Sequence, residues 1–460
     1  MTKRINNPMS SHNFLAVSVS SVALLLASVP AAAQSADAQK AGVQPAAPAD
    51  LTEQIFLPAE PAANAEEAII EAVSMPVWST DHAGKLLTVI EAIGTEGLNP
   101  ADYKPEELAS QIAKGASLEL DAAANRSFSW LIEDLRDGRT PQSARLESYV
   151  DDPDAQDMPT QSLLTKAIES GDIVGIINSV APTHPDYAKL RAQLATIAES
   201  DAQKRKLIVA NMDRWRWFAR DLGPDYLHTN IPEYQLRFVI NKQQVGTYKT
   251  IVGSPKNATP QLAESVSGIV FNPTWTVPQS IVKGEGLGNR VLSNPVWAAR
   301  KGYKATRGEN GYISVVQAPG PINSLGHVKL HMPNRHAIFF HDTPSRGLFN
   351  RKGRALSHGC IRTERAMELA MTIALVRGDI PIERSVELQK SLEYKLVPIE
   401  RELPAYLTYL TMATDINGKM RSFSDIYGRD AAIHKAFEET RPATPIAAVG
   451  SAAADDDAES

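Results

Sequence analysis

Cysteine is almost missing from this chain. Cys360 is the only one in 460 residues, so no intramolecular disulfide can form. An excess of one charge is missing too: 47 Lys and Arg stand against 53 Asp and Glu, for a net charge of −6 and a pI near 6.0. Without a basic field to hold phosphates, nucleic acid is set aside as a partner. Long apolar runs are scarce. Phe14–Leu26 is the one candidate, and it is too short and too rich in serine to cross a bilayer. Lys3 and Arg4 before it, and Val29-Pro30-Ala31-Ala32-Ala33 after it, give the pattern of a secretory signal cleaved after Ala33. The expectation is a signal peptide over 1–33 and a periplasmic protein with no membrane span once the signal is gone.

Two further classes lack their residues. Gly284-Glu285-Gly286-Leu287-Gly288 hints at a dinucleotide loop, but Asn289 stands where the third glycine belongs. His331, His336 and His341 are spaced by five, and no carboxylate or second cysteine completes a zinc set. No cofactor and no metal are therefore expected.

What is present is ordinary globular material, with 43% hydrophobic and 22% charged residues. Residues 34–50, rich in Ala, Gln and Pro, read as a flexible linker. From 51 to 204 apolar residues recur at helical spacing, as in Leu86, Leu87, Ile90 and Ile93, in Leu131, Ile132 and Leu135, and in the run Tyr187–Leu194. This predicts an all-α scaffold domain. Past Leu207 the period changes. Tyr234–Ile240 and Val245–Val252 flank the turn-like Asn241-Lys242-Gln243-Gln244 and predict a β-hairpin. Ser267–Phe271 and Ala337–His341 read as strands, and Leu407–Met412 and Phe423–Tyr427 as late strand or turn pieces. A β-rich domain over 205–440 follows, with 279–335 as an inserted subdomain over a cleft and 441–460 as a disordered tail, its Asp455–Asp457 run solvated. The fold class is α+β. Trp215, Trp217 and Trp275 read as core, and Arg214 and Arg216 as a solvated face.

A lone thiol in an exported protein needs a reason. It is either a buried small hydrophobe or a nucleophile, and its neighbours favour the second. Ser357-His358-Gly359-Cys360-Ile361-Arg362 follows His341-Asp342-Thr343 by about fifteen residues. An imidazole can take the proton that a thiol must lose before it attacks. A helix expected from about Thr363 would lower the thiol pKa, and Gly359 would let a carbonyl approach without a Cβ in the way. This arrangement supports acyl transfer.

These two motifs resemble the signature of the L,D-transpeptidase family, whose catalytic domain is β-sandwich-like. Asn211–Trp217, Asn272–Pro278 and Asp425–Asp430 resemble blocks of its large Gram-negative branch, which carries a helical scaffold and a capping subdomain. The resemblance implies that Cys360 is the nucleophile and His341 the general acid and base, oriented by the main chain of Asp342. It also implies an oxyanion hole from the backbone around His358, Gly359 and Cys360, with Ser357 in the same loop, and Arg362 holding substrate or the loop. His358 itself reads as an orienting residue. The implied partners are peptidoglycan stem peptides and other wall-synthesis enzymes, the implied product is a 3-3 cross-link, and carbapenems are implied inhibitors. Water or a protein amine as acceptor is the alternative within the same chemistry, and a noncatalytic wall-binding scaffold is the alternative outside it. The peptidoglycan-binding module common in this branch is absent, and Phe339 stands where some relatives have tyrosine.

Overall fold

The computed structural model describes residues 76–441. The expected signal, the linker and all but Arg441 of the expected tail lie outside the described residues.

The N-terminal half is helical because its apolar residues fall on single faces and its helix starts are capped. In α1 (Thr80–Ala92), Ser79 accepts from the His82 N–H, and Ala83, Leu86 and Ile90 are buried. After α2 (Pro105–Lys114), α3 (Leu118–Arg136) is capped by Ser117 and buries Leu120, Ala124, Phe128, Leu131 and Leu135. Trp78 closes this core, its indole N–H donating to Asn125 at 2.7 Å. Each leucine, isoleucine or phenylalanine withdrawn from water contributes about 1.5–3 kcal/mol. A short strand β1 (Ser148–Tyr149), α4 (Asp154–Asp157), α5 (Thr160–Ser170), α6 (Ile173–Ser179) and α7 (Pro185–Thr196) follow.

The helical region does not stop at 204. Helix α8 (Ala202–Trp215) runs through that expected boundary, because Asp201 caps its start and Ile208, Met212 and Trp215 bury between helices and sheet. The same packing corrects the reading of Arg214 and Arg216, which are buried rather than solvated. Arg214 donates to Asp430 and Thr411, and Arg216 to the Glu96 carbonyl and the Tyr187 hydroxyl. Trp215 and Trp217 are core.

Strands β2 (Tyr226–Asn230), β3 (Gln235–Ile240), β4 (Gln243–Gly253) and β5 (Gln261–Phe271) open the second half. The β3–β4 turn is the two residues Asn241-Lys242, both at positive φ, as a tight hairpin requires. An excursion then leaves the sheet: β6 (Trp275–Thr276), α9 (Gln279–Gly284), α10 (Leu287–Ser293), α11 (Pro295–Arg300), β7 (Tyr303–Arg307) and β8 (Ile313–Gln317). Its three strands pair in the order β6-β8-β7 over a separate small core of Val277, Ile281, Val282, Val291, Ala298 and Val315. The insert expected at 279–335 thus begins earlier and ends sooner. Strand β9 (Val328–His331) already belongs to the main sheet, because Val328 and Leu330 alternate into its core.

The main sheet continues through β10 (Phe340–His341), β11 (Ala355–Ser357), β12 (Ile361–Thr363) and β13 (Lys395–Thr408). From β5 the order runs β13-β2-β3-β4-β12-β10-β9, and β9 pairs back to β5, closing a ring. Helix α12 (Ala366–Gly378) packs Ala366, Leu369, Ala370 and Ile373 into the core. Two expectations change here. The strand at 337–341 shrinks to Phe340–His341, since Ala337 has φ +52° and the Asn334 side chain holds the preceding turn. The helix expected near Thr363 starts at Ala366, because Ile361–Thr363 is a strand between β10 and β4. Residues 423–427 form a turn, not a strand.

Candidate active site

Strand β12 runs parallel to β10, with Phe340 opposite Ile361 and His341 opposite Arg362. Residues paired in this way share a face, and side chains repeat every second residue. Cys360 immediately precedes β12, beside Phe339, whose carbonyl accepts from the Ile361 N–H at 3.0 Å, and its thiol is within reach of the Lys329 and Arg362 charges. On the other side β9 runs antiparallel to β10, with Lys329 opposite His341. Lys329, His341 and Arg362 thus form a row across three strands, with the thiol at its edge.

His341 is buried and its Nδ1 lies 2.6 Å from the Asp342 carbonyl oxygen. A carbonyl only accepts, so Nδ1 carries the proton and Nε2 is left with a lone pair. Asp342 is itself held, its carboxylate accepting from the His327 N–H at 3.0 Å and from Arg346 at 3.1 Å. Burial, then the Arg362 cation, then Lys329, push the His341 pKa down to about 3, against the pull of the Asp342 carbonyl. The Cys360 thiol is pushed up by burial, which outweighs the Phe339 backbone and the Lys329 and Arg362 cations. At neutral pH the pair is a thiol and a neutral imidazole.

The helix-dipole expectation is corrected, since a strand and the left-handed Arg365 separate Cys360 from α12. What holds the loop is local. Ser357 Oγ donates to the Cys360 carbonyl at 2.6 Å and accepts from the Gly359 N–H at 3.2 Å. The Gly359 amide is therefore occupied, which removes it from the expected oxyanion donors. The His358 and Cys360 amides have no partner among the described residues. Gly359 sits at φ +114°, which favours glycine, and a Cβ there would lie 3.1 Å from Ile338. The thiol points to the Ala337 carbonyl at 3.4 Å. His358 Nε2 meets Glu285 Oε1 of the inserted subdomain at 2.6 Å.

Comparison with known proteins fits this geometry. Residues 224–382 match the family model of the L,D-transpeptidase catalytic domain, and residues 72–194 match that of a scaffold domain. The chain carries an L,D-transpeptidase catalytic domain. A Haemophilus influenzae protein named "Putative L,D-transpeptidase" is 29% identical over 293 residues, which cover 59% of this chain and 58% of that relative. Among solved structures, a mutant Enterococcus faecium L,D-transpeptidase is 13% identical, covering 40% of this chain and 50% of that one at a TM-score of 0.20. The catalytic domain of the E. faecium L,D-transpeptidase acylated by ertapenem is 11% identical, covering 41% and 98% at 0.21. Likeness at those scores carries no weight.

Three supports of the L,D-transpeptidase domain escape motif reading. Thr259 donates to the Gly359 carbonyl at 2.6 Å and accepts from the Gly253 N–H at 2.8 Å. Tyr427, in the block Asp425–Asp430, donates to the Gly253 carbonyl at 2.6 Å. Lys329 places its ammonium 3.8 Å from the centre of the Phe339 ring. Among the described residues no group of three or more His, Cys, Asp and Glu could hold a metal, and no helix is long and apolar enough to cross a membrane.

Proposed function

We propose that this protein is a cysteine L,D-transpeptidase that acts outside the cytoplasmic membrane on peptidoglycan stem peptides and makes 3-3 cross-links. The observation that carries the reading is the His341 ring, fixed through Nδ1 to the Asp342 carbonyl, on the strand next to the one that Cys360 immediately precedes. The pattern of residues 3–33 supports export.

In this reaction Cys360 Sγ bonds to the carbonyl carbon that joins the third and fourth stem residues. The thiol proton passes to His341 Nε2, and the oxygen becomes an oxyanion held by the free His358 and Cys360 amides. The C–N bond breaks, the leaving amine takes the proton from His341, and the terminal D-residue departs. The thioester is then attacked by the side-chain amine of a second stem. A new C–N bond forms, the S–C bond breaks, and the amine proton returns to the sulfur through His341. A positioned acid–base group of this kind contributes roughly 10²–10⁴ in rate.

The test is incubation of the purified protein with tetrapeptide muropeptides and mass analysis of the products. Cross-linked dimers minus one D-residue are expected from the wild type and not from Cys360→Ala. Identical mixtures would sink the reading. Product mass also reads the acceptor, since water leaves a tripeptide. A carbapenem is expected to add its mass to the wild type and not to Cys360→Ala.

A further inference from the structure

Buried cations in this fold are held by carboxylates or, as with Arg354 and Arg429, by backbone carbonyls such as those of Thr250 and Thr259. Arg139 meets Asp102 at 2.8 Å, Arg237 meets Glu233 at 2.7 Å, and Arg377 meets Asp225 at 2.8 Å. Lys329 and Arg362 break the pattern. Both are half-buried, and neither has a carboxylate or carbonyl partner among the described residues. Withdrawing an unpaired charge from water is costly, and both pKa values are lowered by burial. The fold accepts that cost twice, on either side of His341, with the thiol as the one acidic group whose charge either of them feels. Lys329 is steadied by the face of Phe339, which holds the ammonium without neutralising it.

The other charged or titratable groups around the thiol do not neutralise them. His331 is on β9, Arg335 and His336 are in the loop before β10 with His336 stacked on Tyr149 at 4.1 Å, and Glu285 is engaged with His358. The site is short of negative charge.

We infer that Lys329 and Arg362 form an anion subsite that takes a carboxylate of the donor stem, and that its arrival enables His341 to accept the thiol proton. The inference rests on the transpeptidase reading for its substrate class, a short peptide with a carboxylate near the scissile carbonyl. With the subsite empty, two cations oppose an imidazolium between them. A bound carboxylate offsets them, so imidazolium formation becomes easier only when a donor is in place. Two carboxylates have this chemistry: that of the leaving D-residue and that of the third-residue side chain.

The experiment uses the purified chain and three synthetic tetrapeptide donors: the free acid, its C-terminal amide, and the analogue amidated on the third-residue side chain. Acyl-enzyme is read by intact mass across pH 5–9. One of the two amides is expected to acylate the wild type at least tenfold more slowly than the free acid, and which one identifies the carboxylate. Lys329→Gln is expected to lose about tenfold on the free acid, with its pH profile displaced, and little on that amide, while Lys329→Arg retains most activity. Equal rates on all three donors, or an equal loss by Lys329→Gln on acid and amide, would overturn the subsite and leave the transpeptidase reading intact. If no donor acylates the wild type, that reading fails. The subsite is then read from protection of Cys360 against iodoacetamide: N-acetyl-D-alanine is expected to alter the rate, N-acetyl-D-alaninamide is not, and equal effects overturn it.

Discussion

The resting charge of the Cys360–His341 pair decides how the free enzyme reacts with a simple electrophile. A preformed thiolate–imidazolium pair would alkylate at a rate independent of pH from about 5 upward. This site should behave otherwise. Burial and the Arg362 and Lys329 cations hold the imidazole neutral down to about pH 3, and burial lifts the thiol above its ordinary 9.0. With a pKa of 9 or more, the thiolate fraction at pH 7 is about 1% or less. The sign is the same for both groups, since each shift favours the neutral form. The iodoacetamide rate at Cys360, followed by intact mass from pH 5 to 10, is therefore expected to rise about tenfold per unit through neutrality with no plateau below pH 9. His341→Ala should leave that profile nearly unchanged, because the thiolate fraction is not set by a neutral ring. The same substitution should slow acylation by a stem peptide by roughly 10²–10⁴, because there the ring must take the proton. A midpoint below pH 7 would refute the reasoning, as it would mean the ion pair exists before substrate arrives.

Ser357→Ala removes the hydroxyl that bridges the Cys360 carbonyl and the Gly359 amide. Two buried partners are left unsatisfied, so a stability loss of about 2–4 kcal/mol in urea denaturation is expected, together with slower acylation of Cys360. Asp213 accepts from the Arg139, Thr140 and Trp217 N–H groups and lies 3.6 Å from buried Arg216. Asp213→Ala should therefore cost roughly 3–5 kcal/mol by the same measurement while the alkylation profile of Cys360 in the folded protein stays as it was. Acid should loosen the contact between α7 and β2, where burial pushes His184 down to about 4 and His228 well below its usual value. Both rings are neutral in the folded state and titrate near 6.5 when unfolded. Stability is thus complete above about pH 6.5 and falls progressively toward pH 4, which a melting-temperature series will read.

Features that depend on local chemistry were legible in the sequence. The Asn241-Lys242 turn forecasts its own hairpin, and the spacing of Leu86 and Ile90 forecasts a helix with that face buried. The register of β10 and β12 sets His341 opposite Arg362, with Cys360 just ahead of β12. What failed depended on partners far away in the chain. Ile361–Thr363 precedes a helix and has too few residues to show a period, so only its pairing with β4 and β10 makes it a strand. Arg214 looks like part of a solvated face until Asp430, more than two hundred residues later, supplies a counter-charge. Lys329 is one lysine among many in the sequence. Its meaning comes from the antiparallel register that sets it opposite His341.

The neutral resting pair also accounts for a lone cysteine in a compartment where thiols are oxidised, if the protein is exported as proposed. Oxidation and adventitious disulfide exchange follow the thiolate, not the thiol. A site that kept Cys360 ionised would be fast toward its peptide and equally fast toward every other electrophile. Burial lifts the thiol pKa, and the two cations beside His341 discourage the imidazolium that would accompany a thiolate. The same unpaired cations become useful when an anionic donor fills the space between them. In that arrangement the substrate brings the charge that the site lacks, so reactivity toward the donor and protection from everything else arise from one shortage of carboxylates.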